Sequence, residues 1–97
     1  MKQVIIDSEA ENELSESVAF YERRQVGLGL DFEHAARVAV QMIQADPDRY
    51  PEWKGGTRRL VMERFPFVIY YVVLPDTIWI LAFAHASRKP GYWRRRV

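Results

Sequence analysis

The sequence predicts an α+β fold in the order β-α-α-β-β-β, a helical hairpin packed on one face of a mostly antiparallel four-stranded sheet. Three observations carry that reading. Thr57 to His85 is a nearly unbroken apolar stretch, cut only by Phe65-Pro66 and Pro75-Asp76. Two earlier segments repeat apolar residues at helical spacing. A short β-branched run, Val4-Ile5-Ile6, precedes them.

In chain order, Val4 to Ile6 reads as a first strand. Ser8-Glu9-Ala10-Glu11 then matches a capping box, in which the Ser8 hydroxyl takes a free backbone N–H and Glu11 reaches back. Acidic residues at 7, 9, 11 and 13 suit the positive end of a helix dipole. Leu14, Val18 and Tyr21 give this helix an apolar stripe, and it should run to about Arg24. Gly27 and Gly29 mark a tight connection to a second helix. Its broad apolar face is Leu28, Phe32, Ala35, Ala36, Ala39 and Ile43, and it ends before Asp46-Pro47, where proline disfavours helix. The stretch Asp46 to Gly56, with Tyr50-Pro51, Trp53 and Gly55-Gly56, reads as an irregular loop and as a candidate part of any site.

Three strands follow: Thr57 to Arg64, Phe67 to Leu74 and Thr77 to His85. Val68 to Val73 are all β-branched or aromatic, and Ile78 to Phe83 are nearly so. Alternation puts Phe67, Ile69, Tyr71 and Val73 on one face and Val68, Tyr70 and Val72 on the other, so this strand is expected to be central and buried on both sides. Pro75-Asp76 is short enough for an antiparallel hairpin, and Pro66 belongs at a turn or edge. By the same alternation Trp79 and Phe83 are expected on one sheet face.

The 97 residues, 48% of them apolar, suit a single domain spanning 1–97, with a basic aromatic tail at 86–97. Without cysteine the chain has no disulfide or thiolate chemistry. No segment has the apolar length of a signal peptide or membrane span, so a cytoplasmic location and no membrane partner are expected. Charge is divided. Residues 1–50 hold 5 Lys or Arg and 10 Asp or Glu, net −5, whereas residues 51–97 hold 9 and 3, net +6. A basic aromatic half fits a polyanion or an acidic protein partner. Acidic residues do not cluster at metal-ligand spacing and there is no glycine-rich phosphate loop, so neither metal nor cofactor is expected.

With this element order, four pieces of sequence resemble the RelE/ParE superfamily of type II toxin-antitoxin toxins, the plasmid-stabilisation type. They are Asp46-Pro47-Asp48-Arg49-Tyr50-Pro51; Thr57-Arg58-Arg59-Leu60; Arg64-Phe65-Pro66-Phe67-Val68-Ile69-Tyr70-Tyr71; and Ala84-His85-Ala86-Ser87-Arg88-Lys89-Pro90-Gly91-Tyr92-Trp93. The resemblance covers essentially the whole chain. It implies a small cytosolic toxin with a RelE/ParE-like fold, blocked by a cognate antitoxin that wraps it, the pair open to higher-order assembly. It also implies one of two targets: messenger RNA cut on the ribosome without a metal, or DNA gyrase. A member retaining antitoxin binding without toxicity is a third reading.

Metal-free RNA cleavage needs a base for the 2′-hydroxyl, cations for the developing phosphorane charge and an acid for the leaving oxygen. His85, Arg58 and Arg88 are the candidate catalytic residues, His85 because imidazole titrates near neutrality. Arg59, Arg64, Tyr92, Trp93, Arg94 and Arg95 are candidates for binding target or antitoxin, the arginines through phosphate or carboxylate and the aromatics by stacking. His34, beside two alanines, reads as a surface or packing residue. The nuclease branch typically carries basic side chains at places that align near Arg58, Leu60 and Phe67, and only the first is basic here. That tilts the expected target toward gyrase or one not yet recognised.

Overall fold

The computed structural model describes residues 1–96, and the final residue lies outside them. Its elements are β1 (Gln3–Ile6), α1 (Ser8–Arg24), α2 (Leu28–Ala45), β2 (Glu52–Lys54), β3 (Thr57–Val61), β4 (Phe67–Val73) and β5 (Thr77–His85), with a 3-10 turn at Arg94–Arg96. The expected strands and helices are all present, and the sheet gains a fifth strand. Glu52–Lys54, read from sequence as loop, pairs antiparallel with β3. The sheet order is β1-β5-β4-β3-β2, so β4 is central as expected, and only the β1–β5 pair is parallel.

The two helices are placed by local chemistry. Asp7, not Ser8, caps α1, its carboxylate accepting from the Glu9 N–H at 3.0 Å. Asp7 wins because the strand ends there: its own N–H donates to Ile80 O at 2.9 Å, which fixes the backbone in the extended cap conformation. At the hairpin turn Gly27 adopts φ +87°, and α2 has no cap from its own N-cap side chain. Glu22 of α1 supplies it, accepting from the N–H groups of Gly27 and Gly29 at 2.8 and 3.0 Å. A Cβ at Gly29 would sit 2.5 Å from the Val18 carbonyl oxygen. Gly29→Ala should therefore splay the hairpin and lower stability by about 1–3 kcal/mol, read by urea unfolding.

The helices cover one face of the sheet through Leu14, Phe32, Ala36 and Ile43 packed on Leu60, Phe67, Ile69, Tyr71, Ile78 and Ile80. Four rings lock this core: Phe32 lies 4.7 Å from Phe67 and 5.1 Å from Phe65, and Tyr21 is 5.1 Å from both Phe32 and Phe65. The Tyr71 hydroxyl reaches out of it to Pro47 O at 2.6 Å, tying the end of α2 to the sheet. Burial raises the Tyr71 pKa to about 12, against a smaller opposing pull from Arg58. Above pH 10 the unfolded phenol ionises while the folded one holds its proton, so stability should fall as pH rises from about 10 to 12. Tyr71→Phe should flatten that part of a denaturation-versus-pH curve.

A second core fills the opposite face, from Tyr70, Val72, Leu81, Ala82, Ala84 and Trp93, with Trp53, Trp79 and Tyr92 at its margin. The expectation that Trp79 and Phe83 share a face fails. Tyr70 pairs with Ala82 but Tyr71 pairs with Ile80, so Leu81 is an extra residue in β5. A bulge of this kind breaks the period of two, and every side chain beyond it changes face. Trp79 accordingly packs in the second core and Phe83 against the helices.

Candidate functional site

The bulge coincides with the point where β1 stops. The β1–β5 ladder reaches only Ile6 opposite Ile80, leaving the outer edge of β5 from Leu81 onward without a strand partner. Two side chains take over. Arg96 donates to Leu81 O at 2.8 Å, and Glu13 of α1 accepts from the Phe83 N–H at 3.1 Å. Side chains that close an open edge in this way also keep other strands from pairing there.

Glu13 is the centre of a charged cluster that pins the tail. Its carboxylate receives Arg96 on both oxygens, at 3.0 and 3.1 Å, and the Tyr92 hydroxyl at 2.6 Å, with Arg88 at 3.9 Å. The Glu13 and Arg96 side chains are only 13% and 9% exposed, so this is a nearly buried, bidentate ion pair. Glu9 adds a more exposed contact to Arg96 at 3.5 Å. The Tyr92 ring lies 3.6 Å from the Arg88 guanidinium and 5.3 Å from that of Arg96, in reach of cation–π attraction from both. Burial, followed by the hydrogen bond to Glu13, pushes the Tyr92 pKa well up. For Arg96, burial pulls the pKa down, but the hydrogen bond and charge of Glu13 outweigh it and the net shift is upward.

The tail leaves β5 through a turn closed by Ala86 N–H to Pro66 O at 2.7 Å and Arg88 N–H to His85 O at 2.9 Å. It reverses at Gly91, where φ is +93°, and drops Trp93 into the second core. Trp93 is 1% exposed, 4.7 Å from Tyr70 and 5.4 Å from Trp53. A base could not stack on it. Its role is to anchor the tail, and its indole N–H is buried with no acceptor.

The three candidate catalytic residues are not all brought together. Arg58 points to the helix side and donates to Tyr50 O at 2.7 Å and Asp48 O at 3.2 Å, with the Asp48 carboxylate at 3.9 Å. Those contacts make it a clamp on the turn after α2. His85 is exposed at the far end of the sheet: Arg58 lies opposite Tyr71 and Tyr71 opposite Ile80, five residues before His85. Counted along β4, where Phe67 lies opposite His85, four residues of rise and two strand spacings put the Arg58 and His85 Cα atoms roughly 17 Å apart. The Ser87 N–H donates to His85 Nδ1 at 3.0 Å, which assigns the proton of the neutral ring to Nε2. Arg88 is the one candidate near His85, both lining a cleft of about 300 Å³ with Phe20, Phe67, Phe83 and Glu13.

The candidate binding residues divide as well. Arg64 sits at the β3–β4 turn, paired with Asp31 of α2 at 3.2 Å and 5.1 Å from the Phe65 ring. Arg59, opposite Tyr70, lies on the tail face, and Arg94 is exposed there 5.7 Å from the Trp53 ring. Arg95 lines an open depression of about 690 Å³ beside Glu9, Glu16 and Arg88. Sequence reading missed Glu13, taken as one of several helix-dipole acids, and gave no role to Lys54 or Lys89. The one available signal was Trp53 next to Lys54 in a stretch already marked as part of any site.

No family model matches the chain, and no curated protein matches it. Among solved structures it superposes on a chain of the chromosomal ParDE TA system from P. aeruginosa, with a TM-score of 0.78 and 22% identity over 90% of this chain and 98% of that one. The two share a fold. The expected arrangement, a helical hairpin on one face of a mostly antiparallel sheet, is therefore shared with that chain, carried here on a mixed five-stranded sheet.

Proposed function

We propose that this chain is the toxin of a type II toxin-antitoxin pair, held inactive in the cytoplasm by a cognate antitoxin, and that it acts by binding its target rather than by cutting RNA. DNA gyrase is the first target to test. Support for the pair comes from the fold shared along nearly the whole length of a ParDE chain. Support for binding over cleavage comes from the separation of Arg58 and His85, which leaves Arg88, itself paired with Glu13, as the one candidate catalytic cation beside the imidazole. A surface for a partner is also present. Val38, Met42 and Val61 are exposed along a groove of about 530 Å³ between α2 and β3, the type of apolar patch that an antitoxin would cover.

Expression of the chain alone should arrest growth, and co-expression with the neighbouring gene should restore it. The His85→Ala chain should remain as toxic as the parent, with transcript ends unchanged and supercoiling stalled. Loss of toxicity in that variant, together with new transcript ends in the parent, would establish the ribosome-dependent ribonuclease instead. Tight binding of the neighbour's product without arrest would make the chain a non-toxic binding module, and neither arrest nor complex would end the proposal.

A further inference from the structure

The open edges of the sheet are not defended alike. At the β2 edge a short strand carries two charges, Glu52 and Lys54, and a register break, devices that keep other strands away. Past the bulge, β5 is closed by Arg96 and Glu13. β1 is the remaining edge, and its Gln3-Val4-Ile5-Ile6 has no charge, no proline and no bulge. The Asp7 N–H donates to Ile80 O, so by alternation Ile5 and Gln3 also turn their backbone groups toward β5. Val4 and Ile6 turn theirs outward. Among the described residues no side chain pairs with those groups, whereas the Lys2 carbonyl, next in the same row, accepts from the Gln44 amide at 2.8 Å.

We infer that β1 pairs antiparallel with β1 of a second copy of this chain, about a twofold axis at Ile5. An outward residue must meet an outward residue, so the axis passes through one residue rather than between two. An axis at Val4 would require the Lys2 carbonyl, which Gln44 already holds. An axis at Ile5 sets Val4 opposite Ile6 of the copy, each such pair exchanging both hydrogen bonds, and leaves Lys2 undisturbed. The side chain on the axis fits the same register. Ile5 is 48% exposed on the tail face, beside its half-buried partner Trp79 on β5. The Ile5 of the copy covers it, and one apolar row then runs from Trp79 to Trp79 across the axis. The occupant is a second copy because a twofold contact needs the same patch on both sides, and this edge presents uncharged, mostly β-branched residues to its like. A ladder this short buries less than a stable interface does, so the dimer forms at high concentration and separates on dilution.

The purified full chain is followed by sedimentation velocity from low micromolar to near-millimolar concentration, and should pass from monomer to dimer. Val4→Pro removes only an outward N–H, which an edge strand tolerates. Symmetry removes it twice, so the dimer should weaken at least about tenfold. Ile5→Lys sets like charges face to face and should do the same. Circular dichroism checks the fold of each variant. The chain has no cysteine, so single cysteines report the register directly. Ile5→Cys should give a disulfide-linked dimer under mild oxidation, its Cα atoms meeting at about 4.5 Å, whereas Gln3→Cys, displaced about 13 Å along the strand from its symmetry mate, should not. A chain monomeric throughout, a dimer that survives both substitutions, or cross-linking as fast at Gln3 as at Ile5 would overturn the inference. So would a monomer whose Val4→Pro form loses only its antitoxin, which would give the edge to a strand of that partner. The readout is association of the chain with itself, so its failure leaves the toxin proposal standing.

Discussion

Glu13→Ala is expected to cost about 3–5 kcal/mol of folding stability, because it strands Arg96 as a nearly buried cation. The substitution also removes the acceptors of the Tyr92 hydroxyl and the Phe83 N–H, leaving the edge of β5 open just past the bulge. Arg96 keeps Leu81 O and the exposed Glu9, and neither replaces a bidentate carboxylate. Glu13→Gln should cost less, since an amide oxygen can still accept from Phe83 while the charge is lost. The change should appear as a lower urea midpoint and as faster tryptic cleavage after Arg94 and Arg95. Glu13→Leu combined with Arg96→Met should recover much of the loss, because exchanging both partners leaves no buried charge behind. An effect of Glu13→Ala below about 1 kcal/mol, the range of exposed ion pairs, would mean that this cluster does not hold the tail.

How much of this could be read in advance depends on the range of the interaction concerned. The helices were legible because their stripes, Leu14-Val18-Tyr21 and Phe32-Ala36-Ala39-Ile43, record a regular period within a continuous segment. The central strand was legible because both of its faces are apolar. β2 was not, since three residues with one tryptophan carry no period, and β3 closes at Val61 rather than Arg64 because the chain must turn before Pro66. The bulge at Leu81 was hidden for a related reason: alternation assumes one residue per partner, and the sequence around Leu81 is apolar on either assignment.

The site was less legible than the fold because side-chain commitments are long-range. Arg58 is the right residue type for phosphate, yet the carbonyls of Asp48 and Tyr50 already occupy it, and nothing local announces that. Glu13 looks like Glu9 and Glu11 in the sequence. Only the arrival of a tail more than seventy residues later makes it different. The charge division between the halves of the chain has the same origin: part of the basic half is neutralised by the acidic half across the fold, and Lys54, Lys89 and Arg94 are left without an ion pair on the tail face.

Trp93 gives the other large effect, and two substitutions there separate anchoring from recognition. Trp93→Ala should cost about 3–5 kcal/mol, the range for emptying a large aromatic site, and should release the tail from Tyr70 and Trp53. Trp93→Phe should cost only about 1 kcal/mol, because the smaller ring leaves a void but also removes a buried N–H that has no acceptor. If Trp93 acts only as an anchor, growth arrest and antitoxin binding should follow stability, falling in the alanine chain and persisting in the phenylalanine one. Urea unfolding and pull-down with the antitoxin, run on both variants, make the comparison. A Trp93→Phe chain as stable as the parent but unable to arrest growth would show that the indole leaves the core to meet the target, and the tail would then be a moving part rather than a fixed strap.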